Sequence, residues 1–331
     1  MWESDSITGM GNAMAELAHR FVTTNGIRMH YVEAGRGPPV VLCHGFPESW
    51  YSWRHQIGAL ADAGFRVVAP DQRGYGQTER PAAVEAYNLF QLTGDIVGLV
   101  NALGEKSAVI AGHDWGAPVA WNSALLRPDI FRAVTILSVP YLPRVPIRPS
   151  DAMKAIFGDK VFYQQYFQEV GKAEADLERD PRTALLALMY SLSGDAAPSE
   201  RWRYLFDRGE HLMDTVTVPK QLPPWLSESD LDFFANEFRR TGFGAALNWY
   251  RNIDRFWELT PFLDGARLAQ PTLFVAGDKD PVIEFLADAY QSLEASVPNL
   301  KKKVLLNGAG HWIQQERPAE VNRLLIEFLK S

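Results

Sequence analysis

Predominantly apolar runs at residues 39–43, 66–69, 107–111 and 133–139 end abruptly, and runs of the same kind return only at 271–277 and 304–306. A strand that is apolar on both faces must be covered on both, as parallel strands between helix layers are. Helix-like stretches at 52–63, 89–103 and 117–126 separate the early runs. Parallel neighbours need crossover connections, so this rhythm predicts a mostly parallel, doubly wound α/β sheet. Ahead of it, residues 20–26 and 27–33 alternate β-branched or aromatic with polar side chains around Asn25-Gly26, a hairpin signature. Six strands therefore precede the gap.

The gap is not empty. From Pro140 to about Phe256 the chain is aromatic-rich and helical in pattern, entered through Pro140, Pro143 and Pro146 at a spacing no central strand tolerates. An insertion of roughly 115 residues, 142–257, is too long for an unstructured loop. The expected organisation is a loose tail at 1–19, a sheet domain from 20–141 and 258–331, and a helical cap at 142–257. The cap enters between the sixth core strand and the later ones, and an amphipathic helix at 319–329 closes the chain.

Composition narrows the function classes. A net charge of −7 and a pI near 5.6 repel nucleic acid and anionic membrane, and Lys301-Lys302-Lys303 reads as a solvated strand entry. No apolar run reaches the roughly 18–20 residues of a membrane helix. A single cysteine, Cys43, rules out an internal disulfide framework. With no basic start followed by an apolar segment, a cytoplasmic protein is expected. The histidines and the cysteine show no metal-ligand spacing. Gly74-Tyr75-Gly76 lacks the third glycine of a dinucleotide fingerprint. No cofactor is expected.

The chemistry starts at Gly112-His113-Asp114-Trp115-Gly116, between the run at 107–111 and the helix at 117–126. Small residues on either side of a central one describe a sharp strand-to-helix elbow that raises the central side chain above the sheet edge. The helix N-terminus beneath it favours negative charge. The raised residue is Asp114. A carboxylate is a poor starter of ester or amide hydrolysis but attacks sp³ carbon and leaves an ester that water can cleave. That points to epoxides or carbon–halogen bonds.

The partners of such a nucleophile belong on the loops after other strands. His44-Gly45-Phe46-Pro47 follows the run at 39–43, where the Phe46 N–H can join the Trp115 N–H as an oxyanion hole. The Pro makes a cis bond after Phe46 affordable. His44 and His113 read as buried structural histidines. Gly310-His311-Trp312 follows the last run and supplies the general base, His311. The acid that orients it lies in Gly277-Asp278-Lys279-Asp280, and both aspartates are open.

On His44-Gly45-Phe46-Pro47, Gly112-His113-Asp114-Trp115-Gly116, Asp280 and Gly310-His311-Trp312, the chain resembles the soluble epoxide hydrolases of the α/β-hydrolase fold. The resemblance spans about residues 20–331, with Phe162-Tyr163-Gln164-Gln165-Tyr166 and Leu247-Asn248-Trp249-Tyr250-Arg251 in the insertion. It implies the α/β-hydrolase fold with a cap, Asp280 as the acid, and Tyr163 and Tyr250 as lid phenols that activate the epoxide oxygen. Tyr166 ranks second to Tyr163, because a helical step moves it off the same face. The implied reaction turns a small apolar epoxide and water into a vicinal diol, in a monomer or homodimer. Trp225 and Phe243, with Phe46, Trp115, Phe256 and Trp257, are the expected pocket lining.

Two other readings stay open. Haloalkane dehalogenases resemble the chain in sheet and nucleophile, but usually carry Asn where Phe46 stands. A non-catalytic binding protein on the same scaffold would have shed one of Asp114, Asp280 or His311, and all are present.

Overall fold

The computed structural model of the chain describes residues 17–331. Most of the tail expected at 1–19 lies outside the described residues, and Ala18 and His19 already belong to the first strand. Strands β1 (Ala18–Thr24) and β2 (Ile27–Ala34) form the hairpin. Asn25 and Gly26 turn it with φ of 44° and 76°, the left-handed pair of a two-residue hairpin loop. β3 (Pro39–Cys43), β4 (Arg66–Pro70), β5 (Ala108–His113) and β6 (Phe131–Leu137) follow. Within the insertion, β7 (Val161–Phe162) and β8 (Leu205–Phe206) pair as a small ribbon. β9 (Thr272–Gly277) and β10 (Leu300–Leu306) complete a sheet ordered β1-β2-β4-β3-β5-β6-β9-β10. The pairs involving β2 are antiparallel and the rest are parallel.

The strands are apolar throughout because their alternate residues enter two different cores. Val40, Leu42, Val109, Ala111, Leu273 and Val275 pack on one side with α1 (Arg54–Asp62) and the C-terminal helix Pro318–Leu329. Val41, Cys43, Ile110, Ile136, Phe274 and Ala276 pack on the other with α2 (Leu89–Ala102) and α3 (Gly116–Leu126). Each fully buried aliphatic side chain contributes about 1.5–3 kcal/mol, so a charge at Val41 would break the layer it enters. The three lysines at 301–303 lie inside β10, not merely at its entry, and are accommodated because β10 is an edge strand.

Register sets the stage for the site. Cys43 pairs with Gly112, His113 with Leu137, Leu137 with Val275, and Gly277 with Leu306. β3, β5, β6, β9 and β10 therefore end side by side, and the loops that follow them open on one edge. β5 runs to His113, two residues beyond the apolar run, so the strand stops directly beneath Asp114. The insertion carries α4 (Pro149–Phe157), α5 (Tyr163–Tyr166), α6 (Lys172–Leu177), α7 (Pro181–Ser191), α8 (Glu228–Thr241), α9 (Gly244–Arg251) and α10 (Ile253–Leu259). Among the described residues no helix is long and apolar enough to cross a membrane.

Candidate active site

Asp114 stands between β5 and α3 with φ of 50°, a left-handed conformation that costs a non-glycine residue about 1–3 kcal/mol and survives only where the surroundings impose it. Here glycines impose it. A Cβ at Gly112 would overlap the Gly116 carbonyl, one at Gly116 the Cys43 carbonyl, and one at Gly45 the Asp114 carboxylate itself. The elbow thus sits against the loop after β3, whose Phe46–Pro47 bond is cis. The Phe46 N–H donates to Asp114 Oδ1 at 2.7 Å. The Trp115 N–H, at the N-cap of α3, has no acceptor among the described residues. Oδ2 lies 3.5 Å from Nε2 of His311.

His311 is 2% exposed and lies between two carboxylates. Its Nδ1 is 3.2 and 3.3 Å from the two oxygens of Asp280. Burial disfavours the imidazolium, but Asp280 and Asp114 outweigh it and push His311 up to about 10. Burial likewise opposes ionisation of Asp280, yet His311, the Ser138 hydroxyl and the Val282 N–H hold its carboxyl below the ordinary range. For Asp114, burial is again outweighed, chiefly by His311 and with help from the Phe46 N–H. The structure brings Asp280, not Asp278, to His311; Asp278 accepts the Gly308 N–H at 2.7 Å and shapes the neighbouring turn.

Buried polar residues brace these loops. His44 accepts the Gln72 N–H on Nε2 at 3.0 Å, so Nδ1 carries the proton it gives to the Gly45 carbonyl at 2.9 Å. His113 spans Glu48 and the His311 carbonyl, each at 2.8 Å. Neither ring hydrogen-bonds to the Asp114 carboxylate.

Two cavities meet at Asp114. One, of about 440 Å³, runs out between α4 and α10; the other, of about 40 Å³, lies on the His311 side. Asp114, Tyr163 and Val282 line both. Tyr163, at the start of α5, and Tyr250, on α9, have ring centroids 6.0 Å apart. Burial, then the Asp114 charge, raises both phenols above their ordinary range, so both stay protonated. Tyr166 points elsewhere: its hydroxyl donates to Asp176 at 2.6 Å. Phe256 and Trp257 line the large cavity, Trp115 lines it too, and Phe46 lines the small one. Trp225 and Phe243, expected in the pocket, line neither. Phe243 is fully buried behind Phe46, stacked on Phe238 at 4.2 Å, and Trp225 packs onto the hydrophobic core. An aromatic side chain in a helical insertion has to pack somewhere, and here Phe243 is buried against protein and Trp225 half-buried against it.

The chain matches the α/β-hydrolase fold family over residues 38–318. It is 48% identical to epoxide hydrolase A of Mycobacterium tuberculosis, an alignment covering 96% of this chain and 98% of that one. It is 40% identical to epoxide hydrolase B of the same organism, over 94% and 98% of the two chains. Among solved structures, an epoxide hydrolase from an endophytic Streptomyces superposes with a TM-score of 0.92 at 50% identity, covering 95% of each chain. The chain belongs to the epoxide hydrolases of the α/β-hydrolase fold. Its likeness to these epoxide hydrolases includes the insertion as well as the sheet, because so little of either chain is left uncovered.

Within this epoxide-hydrolase framework, three buried polar residues stand out that the motifs did not mark. Ser138, just past β6, has φ of 70°, and its hydroxyl lies 2.5 Å from Asp280 Oδ2 and 2.9 Å from His311 Nδ1. Glu316 accepts N–H groups from Gly194, Gly310 and Trp312 at 2.8–3.0 Å, tying the insertion to the His311 loop. Glu48 takes His113, Gln314 and Gln315. Ser-Val-Pro after a strand is an ordinary strand end, so nothing in the residue order pointed to Ser138.

Proposed function

We propose that this protein hydrolyses epoxides to vicinal diols through an alkyl ester on Asp114. The observation that carries the reading is the division of the Asp114 carboxylate: one oxygen is held by the Phe46 N–H, and the other faces both His311 and the cavity under two protonated phenols. Asp114 Oδ2 attacks an oxirane carbon. The ring C–O bond breaks, and its oxygen takes the proton of Tyr163 or Tyr250, weak acids suited to a developing alkoxide.

Ester formation removes the Asp114 charge, and the His311 imidazolium loses one of the two carboxylates that hold its proton. That proton passes to the tyrosinate, and His311 becomes neutral, oriented by Asp280. Water gives a proton to Nε2 and attacks Cγ, while Oδ1 carries the oxyanion charge on the Phe46 and Trp115 N–H groups. Collapse expels the diol alkoxide, which takes the imidazolium proton. The carboxylic acid left on Asp114 passes its own proton to His311, and the resting pair is restored. Residues 142–257 act as the cap that carries the phenols over the core of 20–141 and 258–331. The free, buried Cys43 suits the reducing cytoplasm, where we place the reaction.

Purified protein with styrene oxide and, separately, 1-chlorobutane tests the assignment. Diol release without halide release is expected; halide release without diol would transfer the same nucleophile to dehalogenation.

A further inference from the structure

The chemistry at Asp114 leaves the shape of the epoxide open, and the two cavities that meet there differ about tenfold in volume, about 440 against about 40 Å³. They also differ in composition. His311 and Phe46 line only the small cavity, so the water that His311 activates and the oxyanion donor of Phe46 share that side. The hydrolytic water takes part of the small cavity, whose volume is about a tenth of the large one's, and the substrate is left with the rest.

That wall has little means of yielding. Leu188, Leu192, Trp202 and Leu212 close the small cavity, all less than a tenth exposed. The segment bearing the first two is fastened to the catalytic loop. The Leu192 carbonyl accepts the His311 N–H at 2.9 Å, the Met189 carbonyl accepts Trp312 Nε1 at 2.8 Å, and Lys279 Nζ reaches the Gly194 carbonyl at 2.9 Å. Pushing the leucines back would drag His311 out of line with Asp114. The large cavity has the opposite character. Its outer walls, α4 and α10, contain no fully buried residue, and Leu142, Val145 and Ile156 at its rim are 39%, 45% and 73% exposed.

We propose that the substrates are asymmetric epoxides with one bulky apolar substituent, seated in the large cavity, and at most a methyl or ethyl group on the other ring carbon. This rests on the epoxide reading and narrows it: 1-alkyl and aryl oxiranes are accepted, and trans-disubstituted epoxides with larger groups on both carbons are refused. A trans pair must project in opposite directions from Asp114, and one direction ends at Leu188 and Leu212.

The test compares kcat/KM for 1,2-epoxyoctane and styrene oxide with that for trans-4,5-epoxyoctane and trans-stilbene oxide. The first two should exceed the second two by on the order of 100-fold, the scale at which a pocket rejects groups that do not fit. In Leu188→Ala and Leu212→Ala, checked for folding by circular dichroism, the ratio of trans-4,5- to 1,2-epoxyoctane should rise about tenfold or more. Equal turnover of the two epoxyoctanes by the unmodified protein sinks this inference alone, whether or not the variants fold. No turnover of any of the four sinks the epoxide reading and this inference with it.

Discussion

The backbone N–H of Phe46 holds Oδ1 of Asp114 at 2.7 Å. On the proposed mechanism, that engagement leaves Oδ2 as the attacking oxygen and puts the Phe46 donor where the oxyanion of ester hydrolysis would form. One contact therefore assigns separate tasks to two chemically equal oxygens.

The assignment predicts where isotope goes. In a single turnover in ¹⁸O water with enzyme in excess, the diol should carry unlabelled oxygen from Asp114, and label should appear in the Asp114 peptide by mass spectrometry. Fully labelled diol with unlabelled Asp114 would mean that water attacks the epoxide directly.

His311 and Asp280 should act on the second half-reaction. His311→Gln should accumulate a covalent adduct of protein plus epoxide mass, visible by intact mass spectrometry, with diol release slowed by on the order of 10²–10⁴-fold. Inactivity without an adduct would place His311 in ring opening as well. Asp280→Asn should slow ester hydrolysis more than Asp278→Asn, since only Asp280 touches His311.

Ser138 adds a consequence of its own. Its hydroxyl donates to Asp280 and stands beside Nδ1 of His311, so Ser138→Ala removes a hydrogen bond to a buried charge, worth about 1.5–3 kcal/mol. Ester hydrolysis in single-turnover experiments should slow by on the order of 10-fold, with alkylation unchanged. Equal slowing of both steps would reduce Ser138 to general packing.

Much of this was legible in the residues, and the reason is local. The elbow could be read because three backbone segments approach too closely for any Cβ at Gly112 or Gly116, so the constraint leaves its mark on residue type. Strand positions were legible because both faces are buried. What was not legible depends on side-chain direction across the fold. Asp278 and Asp280 sit on one short loop, and only the turn at Gly308 separates their tasks. Trp225 and Phe243 are as aromatic as Phe256 and Trp257, and composition cannot tell a side chain packed against protein from one facing a cavity.

The charge on His311 has a stability consequence. Flanked by Asp280 and Asp114, the imidazolium keeps its proton up to about pH 10 in the folded state, against 6.5 for a free histidine. A raised cation contributes stability that is fully present below pH 6.5 and is lost as pH rises through 10. The melting temperature of the parent should fall between pH 7 and pH 10 more steeply than that of His311→Gln, measured by differential scanning calorimetry. Parallel curves for the two proteins would show that His311 is not held as an imidazolium at rest.

The proposed role of Tyr163 and Tyr250 separates an oxygen leaving group from a halide and can be tested directly. Tyr163 reaches the site from α5 and Tyr250 from α9, so two separate parts of the insertion deliver protonated donors to the cavity above Asp114. If they share the alkoxide charge, Tyr163→Phe and Tyr250→Phe should each slow alkylation by on the order of 10²–10⁴-fold. Ester hydrolysis should be nearly untouched, because it uses His311 and the N–H donors. The double variant should be far slower than either single one, since a lone remaining phenol can still donate. Tyr166→Phe should be mild, because that hydroxyl is spent on Asp176. Stopped-flow tryptophan fluorescence can follow the step, as Trp115 stands edge-on to Tyr250 at 5.0 Å. Alkylation at the parent rate in both single variants and the double would remove the oxygen-activating lid, and the carbon–halogen reading would then have to be tested first.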